Sequence, residues 1–177
     1  AIYFTDPPYG LPGGFDDPRR EIDFCGVYRV RPAEDVDLLC DSMTRPNGIA
    51  FSPDEKKLYV AQSDPQQPIW KVFNVQADGT LDEGRVFFDA GPLAKTRAGN
   101  PDGLKVDTAG NPFATGPGGV PIIAPDGTHL GTLLTGQQTA NCCFGEDGRT
   151  PFITAAMQLC RVRPTTTRWR PAARRPA

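Results

Sequence analysis

Asn47-Gly48-Ile49-Ala50-Phe51, the turn Ser52-Pro53-Asp54-Glu55 and Leu58-Tyr59-Val60-Ala61 form one phrase: a polar start, a strand, a tight turn and a second strand. The phrase returns as Asp102-Gly103-Leu104-Lys105-Val106, the turn Thr108-Ala109-Gly110-Asn111 and Phe113-Ala114-Thr115. It returns again as Asn141-Cys142-Cys143-Phe144, the turn Glu146-Asp147-Gly148-Arg149 and Phe152-Ile153-Thr154. The opening Ile2-Tyr3-Phe4-Thr5 reads as the second half of an earlier copy. Aligned on Ile2, Leu58, Pro112 and Pro151, the copies stand at intervals of 56, 54 and 39 residues.

Further strand candidates fill the intervals. Val27–Val30 leads to Asp37–Leu39, Ile69–Phe73 to Arg85–Phe88, and Gly119–Ile123 to His129–Leu133. The turns Ala77-Asp78-Gly79-Thr80 and Pro125-Asp126-Gly127-Thr128 join the last two pairs as hairpins. Four strands per repeat at this period is the pattern of propeller blades. A sandwich also needs many strands, but does not require the recurring two-strand phrase. The fold class expected is therefore all-β: a β-propeller, present as an incomplete arc of about three four-stranded blades over residues 1–163. An isolated arc leaves open sheet faces, and Ala1 begins inside an apolar run without an initiator Met, so sequence is expected upstream.

Composition agrees. Nineteen Gly and nineteen Pro among 177 residues exceed the average share of roughly 12% for the two together. Turns must be frequent and regular elements short. No stretch approaches the roughly 20 apolar residues of a membrane-spanning helix. Six of the nineteen basic residues lie in 161–177: Arg161, Arg163, Arg168, Arg170, Arg174 and Arg175. The rest of the chain holds 13 basic and 21 acidic residues, an acidic body that gives no reason to expect nucleic acid. The Arg- and Pro-rich segment 164–177 has no apolar period and is expected to be disordered. The five cysteines form no C-x-x-C pair, so a zinc ribbon is not expected. Adjacent Cys142 and Cys143 should point to opposite faces of one strand. Free, buried thiols are the expectation, and the compartment stays open, with the cytoplasm favoured over the periplasm or secretion.

Several phrases now resemble a known family. Phe4-Thr5-Asp6-Pro7-Pro8-Tyr9-Gly10-Leu11 resembles a loop of bacterial and fungal gluconolactonases. Arg45-Pro46-Asn47-Gly48-Ile49-Ala50-Phe51-Ser52-Pro53-Asp54, Pro101-Asp102-Gly103-Leu104-Lys105-Val106-Asp107, Thr115-Gly116-Pro117-Gly118-Gly119-Val120 and Thr139-Ala140-Asn141-Cys142-Cys143-Phe144-Gly145 continue the likeness in order. The resemblance, to the gluconolactonase and regucalcin (senescence marker protein) family, covers residues 1–163. It implies a six-bladed propeller with one divalent cation, usually calcium, at the mouth of its central tunnel; zinc, manganese and magnesium are the other candidates. It implies that Asn47 and Asp102 are metal ligands, and calcium prefers such oxygen donors. The aligned residue of the next copy is Ala140, which is expected to give no ligand. The family's other ligands, a Glu of the first blade and an Asn upstream, have no counterpart here. Two donors fall short of the roughly six to eight that calcium takes, so this chain alone is expected to hold the ion weakly. Pro112, Pro121 and Pro151 stand where the family usually has a bulky apolar residue, and each removes a ladder donor.

The implied activity is opening of a sugar lactone, with the cation polarising the carbonyl and Asp102 also serving as general base. Tyr9 is expected to line the substrate mouth. Two alternatives stand beside it: a phosphotriesterase on the same scaffold, and a non-catalytic calcium-binding module. The partner expected is a small sugar lactone, with no nucleic acid, membrane or obligate protein partner. His129, the single histidine, falls in a hairpin and is read as a surface residue, and no G-x-S-x-G elbow occurs. Asp6 is read as a turn residue, Trp70 and Phe73 as packing.

Overall fold

The computed structural model describes residues 1–32, 35–145 and 148–167. Among them fourteen strands form four antiparallel sheets. The first sheet holds β1 (Ile2–Asp6), β2 (Gly26–Val30) and β3 (Val36–Cys40) in that order. The second holds β4 (Pro46–Phe51), β5 (Lys57–Gln62), β6 (Ile69–Asn74) and β7 (Arg85–Asp89). The third holds β8 (Leu104–Val106), β9 (Pro112–Ala114), β10 (Gly119–Ile123) and β11 (His129–Leu134). The fourth holds β12 (Thr139–Gly145), β13 (Thr150–Ala155) and β14 (Gln158–Arg161). The only α-helix described, α1 (Gly91–Ala94), is a single turn between the second and third sheets.

Each sheet meanders outward from its first strand, and successive first strands β4, β8 and β12 contact one another. The chain is thus a partial propeller. The expected three four-stranded blades divide differently in detail: two sheets have four strands, and the first and last have three. The strand not expected is β14. It follows a tight turn at Ala156, which takes φ +50° without being Gly.

Stacking of the sheets explains the apolar pattern. A strand covered on both faces must be apolar at successive positions rather than alternate ones, and Leu58-Tyr59-Val60-Ala61 are all buried. Leu58 and Val60 join Val27, Met43 and Phe73 between the first and second sheets. Tyr59 and Ala61 face the other way and join Trp70, Val72, Leu104, Val106, Ala114 and Ile123 between the second and third. Phe113 and Val120 meet Cys142, Phe144 and Ile153 between the third and fourth. Period-two alternation therefore assigns neighbouring residues to neighbouring interfaces.

The prolines sit where a ladder donor is dispensable. Pro46 and Pro112 begin their strands, and Pro151 is the second residue of β13. Pro121 pairs with Thr132 on β11, while the register of β10 with β9 is confined to Ile122↔Phe113.

Cys142 is buried and Cys143 exposed, so the adjacent pair does face opposite ways. All five cysteines are free, but the expectation that all are buried is corrected: Cys25 and Cys142 are buried, Cys40 and Cys160 half-buried. Residues 168–177, most of the segment read as disordered, lie outside the described residues. Residues 164–167 are described, and Thr166 Oγ1 donates to Asp107 Oδ2 at 2.7 Å while Thr108 N donates to Thr167 O at 2.8 Å.

Candidate metal and substrate site

Asn47 is the second residue of β4, and Asp102 immediately precedes Gly103 and β8. Both therefore stand at the same end of adjacent first strands. The approach is close because Gly48 lacks a side chain: a Cβ there would collide with the Asp102 carbonyl oxygen and stand 2.8 Å from Leu104 Cδ2. Gly48, next to Asn47, lies directly against the Asp102 main chain. The structure thus brings together two residues 55 positions apart in sequence.

Hydroxyls at the ends of second strands fix this arrangement. Thr5 Oγ1 donates to Asn47 O at 2.7 Å. Asn47 Nδ2 donates to Ser63 Oγ at 2.9 Å, and the buried Ser63 hydroxyl donates onward to Pro101 O. Thr115 Oγ1 donates to Gly103 O at 2.8 Å and lies 2.9 Å from Ala140 O, while its main-chain carbonyl takes the Asp102 N–H at 2.9 Å. Thr5 and Thr115 occupy the same place relative to the aligned residues Ile2 and Pro112, which puts β1 in register with β9 as a second strand. Sequence reading missed Thr5, Ser63 and Thr115. The available signal was a hydroxyl residue closing each second strand.

The electrostatics single out Asp102. It is half-buried, and burial pushes its carboxyl above the ordinary range against the opposing pull of the Gly103 N–H and the Asn47 amide. Among the described residues no Lys or Arg acts on its charge. A desolvated carboxylate with amide neighbours alone is an unpaired anion, which a bound cation would complete. The oxygens of Asn47 and Asp102 are the hard donors that a divalent cation of the calcium type takes. Among the described residues no group of three or more His, Cys, Asp or Glu side chains could hold a metal. Asn47 and Asp102 can therefore form part of a ligand set, not all of it. Ala140 contributes only its main-chain carbonyl, which accepts the Gly103 N–H at 2.9 Å. The next residue, Asn141, lays its amide against Gly103, where a Cβ would clash with it.

Tyr9 sits in a 3-10 turn (Pro8–Gly10) of the long β1–β2 connection and is 54% exposed. That connection is organised by Asp17, whose carboxylate accepts from Gly13 N, Arg19 N and the Arg19 guanidinium. Tyr9 lines a cavity of about 350 Å³ together with Phe15, Asp16 and Arg45. Arg45 is two residues from Asn47, and its carbonyl accepts the Ser63 N–H at 2.9 Å. Asp6 ends β1 and borders a neighbouring cavity. His129 is exposed, with Nε2 3.0 Å from Thr132 Oγ1.

Comparison with known proteins agrees with this architecture. Residues 1–157 match the family model described as the SMP-30/Gluconolactonase/LRE-like region. The chain is 45% identical over 177 residues to a gluconolactonase of Zymomonas mobilis subsp. mobilis, covering 94% of this chain and 48% of that protein. It is 31% identical over 137 residues to the lactonohydrolase oryH of Aspergillus oryzae, covering 67% of this chain and 29% of that protein. Among solved structures, a gluconolactonase from Xanthomonas campestris superposes with a TM-score of 0.77 at 32% identity, over 94% of this chain and 53% of that one. The chain spans about half the length of the bacterial relatives it matches. On the family match, and on the propeller arc that accompanies it, this chain belongs to the SMP-30/gluconolactonase/LRE-like family.

Proposed function

We propose that this chain supplies part of the active site of a divalent-cation-dependent hydrolase that opens sugar lactones. The observation that carries the reading is the convergence of Asn47 and Asp102 at one end of adjacent first strands, with Asp102 desolvated and, among the described residues, no cationic side chain acting on its charge. The names of the three matched proteins, two gluconolactonases and a lactonohydrolase, support lactones over phosphotriesters and over a non-catalytic module.

In this reading Asn47 and Asp102 hold the cation, calcium first among the candidates. When bound, the cation would polarise the lactone carbonyl and stabilise the charge that develops on its oxygen. Asp102 takes a proton from the attacking water, its carboxylate standing beside the water that the cation would orient. The water oxygen bonds to the carbonyl carbon, the ring C–O bond breaks, and the ring oxygen leaves as a hydroxyl after gaining a proton. Ser63 orients the Asn47 amide. Tyr9 borders the cavity beside the site and contacts the sugar ring.

The test is turnover by a completed propeller, in which this chain is fused to the portion of the Zymomonas mobilis protein it does not span. Calcium-dependent hydrolysis of glucono-1,5-lactone that outpaces a phosphotriester, and that Asp102→Ala reduces by at least about a hundredfold, is the expected result. Undiminished hydrolysis in Asp102→Ala refutes the assignment.

A further inference from the structure

Arg45 has no role in the reading above, yet its surroundings are specific. Its guanidinium carbon lies 5.3 Å from the centroid of the Phe15 ring, and that of Arg20 lies 5.1 Å from the same centroid. Arg20 Nη1 donates to Phe15 O at 3.3 Å, which fixes its position. Among the described residues Arg45 forms no ion pair with a carboxylate, although its charge helps to hold Asp64 ionised. Stacking on an aromatic face leaves the edge of a guanidinium, with its fork of N–H donors, free to bind in plane. Arg45 also lines the cavity shared by the exposed residues Tyr9 and Asp16.

The cavity thus offers a donor fork, an acceptor-only carboxylate and an open aromatic ring. Together they suit a polyhydroxylated ring: each hydroxyl both donates and accepts, and the C–H face of a sugar packs on an aromatic. The position is tied to the metal site by main chain, because the Arg45 carbonyl holds the N–H of Ser63, whose hydroxyl takes the Asn47 amide.

We infer that Arg45 is the specificity-determining residue that reads the ring hydroxyls of the substrate, with Asp16 as its acceptor partner and Tyr9 as the stacking platform. The inference rests on the lactonase reading for the identity of the ring, and makes hydroxylated lactones the substrate class over plain alkyl lactones. A site that hydrogen-bonds a hydroxyl discriminates against analogues that lack it, because its donors and acceptors then lose that partner.

The test uses binding rather than turnover, so it is independent of whether hydrolysis occurs. This chain is titrated by NMR with glucono-1,5-lactam, a stable analogue of the lactone, and with δ-valerolactam, which has the same ring and carbonyl but no hydroxyls. The expected result is that gluconolactam shifts the Tyr9 and Phe15 signals. Its Kd should rise at least about tenfold in Arg45→Ala and less in Arg45→Lys, with δ-valerolactam binding equally weakly to all three. Absence of gluconolactam binding by the wild-type chain, or equal Kd values for wild type and Arg45→Ala, overturns the inference. So does an equal loss of δ-valerolactam binding, which would make Arg45 a merely structural residue. Failure of the lactonase reading would instead appear as absent turnover by the completed propeller.

Discussion

Ser63 accepts the Asn47 amide N–H at 2.9 Å and donates its own hydroxyl hydrogen bond to the Pro101 carbonyl, next to Asp102. One buried hydroxyl therefore aligns two candidate ligands that belong to different sheets. Ser63→Ala should remove both bonds and leave a buried acceptor unpaired, at a cost of about 1–3 kcal/mol. Urea unfolding should show this as a lower midpoint with an unchanged slope. An unchanged midpoint would mean that the hydroxyl does not tie the sheets together.

Asp102 makes the site a liability without a cation. Its carboxyl is raised in the folded chain, so protonation favours the native state. The stability cost is absent below the ordinary carboxylate pKa, grows as pH rises through the raised value, and is complete above it. Asp102→Asn should therefore raise Tm by roughly 1–4 °C at neutral pH in chelator, and the gain should vanish near pH 3. A gain that persists in acid would contradict burial of the charge as its cause.

Gly48 is needed for the close approach of β4 and β8. Gly48→Ala drives a Cβ into the main-chain carbonyl of Asp102, and a backbone atom cannot yield as a flexible side chain can. The expected destabilisation is about 2–4 kcal/mol, read as a lower denaturation midpoint. A neutral substitution would mean that the two strands can separate freely.

The adjacent cysteines should differ in reactivity. Burial pushes the Cys142 thiol up to about 12, so it carries almost no thiolate at pH 8. Cys143 is exposed. A thiol reagent at pH 8 should label Cys143 in the native chain and reach Cys142 only after unfolding, as peptide mass mapping would show. Equal labelling of both would contradict the packing of Cys142 against Phe113 and Phe144.

Much of this was legible in the chain. The Asn47-Gly48 and Asp102-Gly103 phrases gave the blade period, because a polar start, a strand and a tight turn must recur wherever a sheet is stacked on its neighbour. The apolar run at Leu58–Ala61 marked a strand covered on both faces. Strand β14 escaped because Gln158-Leu159-Cys160-Arg161 alternates weakly and its turn uses Ala156 rather than Gly. Ser63, Thr5 and Thr115 escaped for a different reason: their partners lie 38 to 42 residues away for Ser63 and Thr5, and 25 for one bond of Thr115. Contacts that exist only once blades stack leave no local pattern. Arg45 was visible inside the Arg45-Pro46-Asn47-Gly48 phrase, but its stacking on Phe15 requires the folded β1–β2 connection.

The claim on which the account depends is that Asn47 and Asp102 share one cation. Calorimetric titration of the completed propeller with calcium tests it most directly, with Asp126→Ala, which alters an exposed hairpin carboxylate, as control. The account predicts binding that Asp102→Ala abolishes, that Asn47→Ala weakens at least about tenfold, and that Asp126→Ala leaves intact. Calcium binding of wild-type strength in both Asn47→Ala and Asp102→Ala would contradict it.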